Sequence, residues 1–251
     1  MGRGWTVEAR CTPQGATITG SVDAGRRRRR RGHGVHGDVG PMGGCGAEGR
    51  PYSYAVAGTS TEYTTKLLTP DTWGDFAALV EANNGVWGGC WCIGFHPEGF
   101  GENPTVARNR EAKALHVRSG TVHQVLVYRD GSCVGWCQYG PPSEVARIKN
   151  PSAYDRGLVD LPDWRIGCIF TGSGWRRRGV ARAGVAAALA AIKEAGGGVV
   201  EAYPEQLNDR GPQRGAFLHT GPESLFTSFG FVRDRRIAKW RWVMRLTVGA
   251  D

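Results

Sequence analysis

Nowhere in the 251 residues is there a stretch approaching the roughly 18 to 20 consecutive apolar residues that a membrane-spanning helix needs, and no apolar core of a secretory signal opens the chain. A soluble, cytoplasmic protein with no membrane partner is the expectation. A dense cysteine framework is also missing: the seven cysteines are odd in number and widely scattered, which points to reduced thiols rather than a disulfide scaffold. There is no Gly-x-x-x-x-Gly-Lys-Ser/Thr, so a nucleoside triphosphatase is disfavoured, and no Gly-x-Gly-x-x-Gly opens a helix, so a Rossmann dinucleotide site is disfavoured too. What the chain does have is an ordinary globular composition, 40% apolar and 22% charged, which excludes a wholly disordered protein. Its length suits one generous catalytic domain and a tail.

The formal charge is +9, and more than half of it lies in residues 1–60, where nine basic and four acidic residues meet. That segment also holds 14 of the 39 glycines and the run Arg26 to Arg31, with almost no apolar periodicity. Nothing in it offsets the entropy of ordering the backbone, so residues 1–60 are expected to be a disordered Gly/Arg-rich leader and residues 61–251 the folded domain. Clustered guanidinium groups can release counterions from a nucleic acid, but charge pattern alone makes that partner unlikely beside a plain low-complexity leader.

Beyond the leader the texture is that of a mixed α/β domain. Residues 66–68 start a strand, and Thr69-Pro70-Asp71 begins a helix that places Trp73, Phe76, Ala77 and Val80 on one face. A strand is expected over residues 90–95, then a helix over residues 104–117 with Arg108, Arg110, Glu111 and Lys113 on its wet side. Two β-rich runs, residues 122–128 and 133–139, flank Asp130-Gly131, a hairpin signal. A strand over residues 164–171, an Ala/Gly-rich helix over 179–195, a strand over 199–203, a short helix over 223–229 and a strand over 231–237 follow. The C-terminal run alternates Trp240, Trp242, Met244 and Leu246 with more polar residues, the period of a strand with one core face. Its aromatic character suggests an edge for pairing with a second copy, a possible homodimer.

Chemistry concentrates where the strand over 164–171 runs through Gly172-Ser173-Gly174-Trp175 into Arg176-Arg177-Arg178-Gly179-Val180-Ala181. A glycine-rich turn feeding a helix presents unpaired N–H groups and the positive end of the helix dipole, an anion site. Arg176, Arg177, Arg178 and Arg182 add charge there, while Gly179 and Ala181 let a diphosphate approach the backbone; Ala183, Gly184 and Ala187 permit close contact with the sheet.

This stretch resembles motif A of the GNAT superfamily, the Gcn5-related N-acetyltransferases, whose Gln/Arg-x-x-Gly-x-Gly/Ala pattern is met by Arg176, Gly179 and Ala181. The likeness continues through Val199 to Pro204 and through Leu225 to Phe231 with its Gly-Phe ending. It implies an α/β (α+β) fold: a mixed, mostly antiparallel central sheet, helices on its flanks and a V-shaped splay between two central strands. It also implies transfer of an acetyl group from acetyl-CoA, the cosubstrate, to a primary amine of a small molecule or peptide. In that reading Ile169, Phe170 and Thr171 pair with the pantetheine arm, an N–H near Ile169 or Phe170 polarises the acetyl oxygen, and residues Arg176, Arg177, Arg178, Gly179, Val180, Ala181 and Arg182 hold the pyrophosphate.

An ammonium with a pKa of about 10.4 must lose a proton before it attacks, and Glu201, on the other wall of the splay, is the candidate base. Where many members carry a tyrosine acid, four residues before the glycine of Gly-Phe, this chain has Phe226. Tyr203 is the candidate substitute, and departure of the thiolate without an acid is the alternative. Trp91 and Phe95 are expected to wall the acceptor side. Cys90, Cys92, Cys133 and Cys137 invite a zinc site, but their spacing is not Cys-x-x-Cys and no metal is assigned. The competing function class is a catalytically silent CoA-binding module, kept open by Phe226.

Overall fold

The computed structural model describes residues 9–12, 15–18, 62–207 and 218–250. Within the leader, two four-residue strands, β1 (Ala9–Thr12) and β2 (Gly15–Ile18), pair antiparallel. The rest of the segment read as disordered, including Arg26 to Arg31, lies outside the described residues.

The main unit follows the expected alternation. It runs β3 (Thr64–Leu67), α1 (Trp73–Glu81), α2 (Val106–Ser119), β4 (His123–Arg129), β5 (Ser132–Gly140), α3 (Pro151–Asp155) and β6 (Trp164–Thr171). It continues with α4 (Val180–Glu194), β7 (Gly198–Ala202), α5 (Glu223–Thr227), β8 (Val232–Ala238) and β9 (Arg241–Val248). The strands form one seven-stranded sheet in the order β3-β4-β5-β6-β7-β9-β8. Every neighbouring pair is antiparallel except β6 and β7, which are parallel. This is a mixed, mostly antiparallel α/β sheet flanked by helices.

Local chemistry accounts for the boundaries. Asp130 and Gly131 both adopt positive φ, 50° and 78°, which suits a tight hairpin turn matched to the twist of β4 and β5. Thr105 caps α2 by accepting from the Arg108 amide at 3.2 Å, and Gly120 ends it in the left-handed conformation. Helix α4 lies across the sheet on its small-residue face: Ala183, Gly184, Ala187 and Ala188 are buried. Under its first turn sits Gly135 of β5, where a Cβ would fall 2.5 Å from Val180 Cγ1 and 2.6 Å from the Phe170 carbonyl oxygen. On the opposite face, Phe76, Trp91, Trp136 and Phe170 form a second core with α1.

Four expectations are corrected. Residues 90–95 do not form a strand: Trp87, Gly88, Gly89, Trp91 and Cys92 all have positive φ, and the segment coils through successive turns such as Ile93 N–H to the Cys90 carbonyl. The glycines at 85, 88 and 89 permit this conformation, and the shared-face premise for Cys90 and Cys92 goes with the strand. Lys113 is not on the wet side of α2. It is fully buried, with Nζ 3.3 Å from His96 Nε2. Strand β9 is interior, and β8, bearing Arg233, Asp234, Arg235 and Arg236, forms the edge, so the basis for a dimer through β9 is removed. Such a charged edge discourages strand addition. Finally, β9 has two covered faces, because Val243 is buried against Tyr154 and Tyr203 while Met244 joins the α4 core.

Candidate active site

The parallel pair β6 and β7 holds together only from Trp164↔Val200 to Ile166↔Ala202. Beyond that point the strands part, leaving the peptide edge of β6 without a β7 partner. Alternation along β6 sorts its amides: Gly172 N–H donates to the Val134 carbonyl of β5 at 2.8 Å, whereas Ile169 N–H points the other way and donates to the His219 carbonyl at 2.6 Å. Phe170 therefore faces β5, and the peptides of Ile169 and Thr171 face the opening.

A cavity of about 680 Å³ occupies this opening. Ile169, Phe170, Thr171, Arg176, Arg177 and Ala181 line it, six of the ten residues expected to touch the cofactor. At its end the backbone curls into the first turn of α4, with positive φ at Gly174 (84°), Arg177 (62°) and Gly179 (91°). The left-handed Arg177 and Gly179 flank Arg178, the backbone pattern from which a concave row of N–H groups is built, and it runs into the helix N-terminus. The other four are arranged differently. Gly179 is the N-cap of α4, and Val180 is buried beneath the turn. The Arg178 carbonyl accepts from the Tyr63 hydroxyl at 2.7 Å, with its guanidinium over Trp175. Arg182 donates to Ser228 Oγ at 2.7 Å and lies over Phe229.

A second cavity, of about 480 Å³, adjoins the first. Trp87 lines both, and Cys168, which precedes Ile169 on β6, lines the second. Phe95, Phe100, Arg147, Lys149 and His219 complete its notable walls. The His219 ring packs against Trp87 and Phe95, with centroids 5.1 and 5.8 Å away. Phe95 lines this cavity. Trp91, expected beside it, does not: it is 1% exposed and packs on Trp73 and Phe76 in the core.

Glu201 and Tyr203 are brought together, but neither lines these cavities. Glu201 is fully buried. Its Oε2 accepts from the hydroxyls of Tyr154 (2.8 Å) and Tyr203 (2.9 Å), and its Oε1 from Arg245 Nε (2.9 Å), with Arg235 Nη1 3.6 Å away. Arg165, 4% exposed, donates to Tyr154 Oη at 3.1 Å and closes the network. The carboxylate's acceptor capacity is used within the protein, so the expected base is corrected to a buried structural anion. Burial also holds the Tyr203 hydroxyl well above the ordinary phenol range, which makes it a poor acid near neutral pH. Phe226 is fully buried against Phe231 and brings no hydroxyl to the opening.

Sequence reasoning missed Trp87, Arg147, Lys149 and His219. Each lies in a connecting segment whose path no periodicity announces, and His219 carried no metal-ligand spacing that would single it out.

A left-handed turn at a helix N-terminus thus meets the edge of a strand that splays from its parallel neighbour. The model of the Acetyltransferase (GNAT) family matches residues 83–211, and the chain belongs to that family. No curated protein matches it. Among solved structures it is similar to an N-acetyltransferase from Staphylococcus aureus Mu50 (12% identity, 75% of this chain and 99% of that one, TM-score 0.43). It is likewise similar to the histone acetyltransferase HPA2 and related acetyltransferase of Corynebacterium glutamicum (17%, 76% and 98%, TM-score 0.43). A third is yncA from Salmonella typhimurium with its cofactor acetyl-CoA (13%, 75% and 95%, TM-score 0.43). Among the described residues no helix is long and apolar enough to cross a membrane.

Proposed function

We propose that the protein is an N-acetyltransferase that moves an acetyl group from acetyl-CoA to a primary amine of a small molecule or peptide. The observation that carries this is the 680 Å³ groove, which joins the open edge of β6 at Ile169 and Thr171 to the arginine-flanked nest at Arg177 and Gly179. Such a groove suits a ligand with an extended amide-bearing arm at one end and a diphosphate at the other. Arg176 and Arg177 supply charge-assisted hydrogen bonds to the phosphates, and the first-turn amides of α4 supply the rest. Arg178, Val180 and Arg182 contribute backbone and field rather than side-chain contact. Pairing of the arm with Ile169 requires the His219 carbonyl to give up that amide.

The acceptor amine enters from the second cavity, meets the thioester where the two cavities adjoin, and attacks its carbonyl carbon. One C–N bond forms, the C–S bond breaks, and the CoA thiolate leaves. With a pKa near 8.5 for an ordinary thiol, departure needs no protein acid, consistent with Phe226. The amine must first shed a proton. Of the groups lining the two cavities, His219 is the one whose side chain ordinarily titrates near neutrality, and it takes the base role first sought at Glu201.

The test is calorimetry with CoA followed by thiol release from acetyl-CoA across a panel of amines. Binding with turnover is expected, and CoA at about 100 times its dissociation constant should add about 2.7 kcal/mol of stability. Gly179→Glu, which forces a side chain into φ 91° and a carboxylate into the nest, should abolish binding while leaving the fold largely intact. Stabilisation by CoA without turnover of any amine would establish the silent module instead, and no heat with CoA would remove the reading altogether.

A further inference from the structure

Among the described residues, the charged side chains that line the second cavity are Arg147 and Lys149, both basic. Of the acidic residues nearby in sequence, Glu98 pairs with His116 at 2.6 Å and Glu144 with His123 at 2.8 Å, while Glu102 is exposed. Glu205 is committed to the Arg241 guanidinium, and the Lys149 ammonium is disfavoured by burial and by Arg241, with Glu205 opposing weakly. Beneath the cavity lies the wholly buried Lys113, whose ammonium form burial disfavours. The Arg147 amide is anchored to the Phe95 carbonyl at 3.1 Å, and its side chain lies along Gly99, where a Cβ would come within 2.7 Å of Nε. The guanidinium is therefore held at the rim. Trp87, Phe95 and Phe100 supply aromatic walls, and Ile148 and three cysteines add further apolar surface.

A chamber that presents two basic side chains and three aromatic rings among its described residues disfavours polycationic amines. It suits a molecule with an anion at one end, an apolar body and one amine directed toward the groove. The volume of about 480 Å³ lies within the range of small-molecule sites, about 300 to 1,000 Å³.

We infer that the acceptor is a primary amine carrying a carboxylate, an amino acid with an apolar side chain, whose carboxylate is held by Arg147 and Lys149 while its side chain rests on Trp87, Phe95 and Phe100. The inference rests on the acetyl-transfer reading for the reaction but not for the binding. Polyamines and polycationic sugars are excluded as acceptors.

The experiment compares matched pairs, L-phenylalanine with phenethylamine and L-tryptophan with tryptamine, together with spermidine, on the full chain. Binding is read by calorimetry in the presence of CoA and transfer by thiol release from acetyl-CoA. Each carboxylated member should bind about 10- to 100-fold tighter than its decarboxylated partner, the worth of one or two charge-assisted hydrogen bonds. Arg147→Ala should erase that difference, and Arg147→Glu should reverse it, an outcome that mere structural damage does not produce. CoA affinity should be unchanged in both variants. Equal or reversed preference in the native protein, no binding of either amino acid, or acetylation of spermidine as fast as of phenylalanine would overturn the inference while leaving acetyl transfer standing. Loss of CoA affinity in Arg147→Ala would reassign the residue to the cofactor and overturn it as well. Amino-acid binding without transfer to any amine would uphold the site and sink the transferase reading.

Discussion

Replacing Glu201 by glutamine separates two roles that one carboxylate cannot fill at once. In the structure its two oxygens take hydrogen bonds from Tyr154, Tyr203 and Arg245, and the charge balances Arg235 and Arg245, whose side chains are 12% and 26% exposed. Glutamine keeps the volume and one acceptor oxygen but removes the charge and turns two amide hydrogens toward groups that donate. Breaking a buried pair by removing one partner costs about 3 to 5 kcal/mol. Here the lower figure applies, because Arg245 reaches solvent and Asp234 remains as a counterion to both arginines. A loss of about 3 kcal/mol in a domain of this size corresponds to a fall of about 6 to 12 °C in Tm. The assay is thermal unfolding by circular dichroism beside acetyl-transfer kinetics at a temperature where the variant is folded. Because Glu201 lines neither cavity, kcat should stay within about threefold of the native value. A fall of about 100-fold in kcat with an unchanged Tm would refute the reasoning and return Glu201 to the chemistry.

His96 should make the protein acid-sensitive. Burial, with Lys113 and His116 beside it, pushes its pKa down to about 2, while in the unfolded chain it titrates near 6.5. The unfolded state therefore binds the extra proton first as pH falls, and stability should drop by about 2 kcal/mol between pH 7 and pH 5. Urea unfolding at the two pH values measures this, and a slope unaltered in His96→Gln would assign the loss to other groups. Gly135→Ala should lift the first turn of α4 from the sheet, because the added methyl meets a backbone carbonyl that cannot yield. The expected cost is about 1 to 3 kcal/mol, with weaker CoA binding in calorimetry; retention of both stability and affinity would show that this close approach does not shape the nest. His219→Ala should lower kcat more than it changes CoA affinity and should remove the rate limb near neutral pH, whereas an unaltered pH profile would exclude it as base.

Most of the order of elements, the hairpin at Asp130-Gly131, the extent of β6 and the start of α4 at Gly179 were legible in the chain, because turn residues, periodicity and helix-start chemistry act over a few neighbours. The glycine-and-arginine turn into α4 was legible for the same reason: its residues are contiguous. Residues 90–95 misled because an apolar, aromatic run has the composition of a buried strand, and only the glycines before it gave the coil away. Lys113 misled because charge normally predicts exposure, and only the tertiary fold brought His96 Nε2 to within 3.3 Å of its buried Nζ.

What the sequence determined by itself was most of the sheet's alphabet and the left-handed turn that opens α4, since both follow from local backbone preference. What only the tertiary structure decided was which faces meet. It buried Glu201 among arginines and tyrosines far apart in sequence, drew β9 inside the sheet, and set His219, Arg147 and Lys149 around one chamber beside the splay. Those outcomes depend on long-range burial and charge pairing, where a side chain's fate is fixed by partners that no local pattern names.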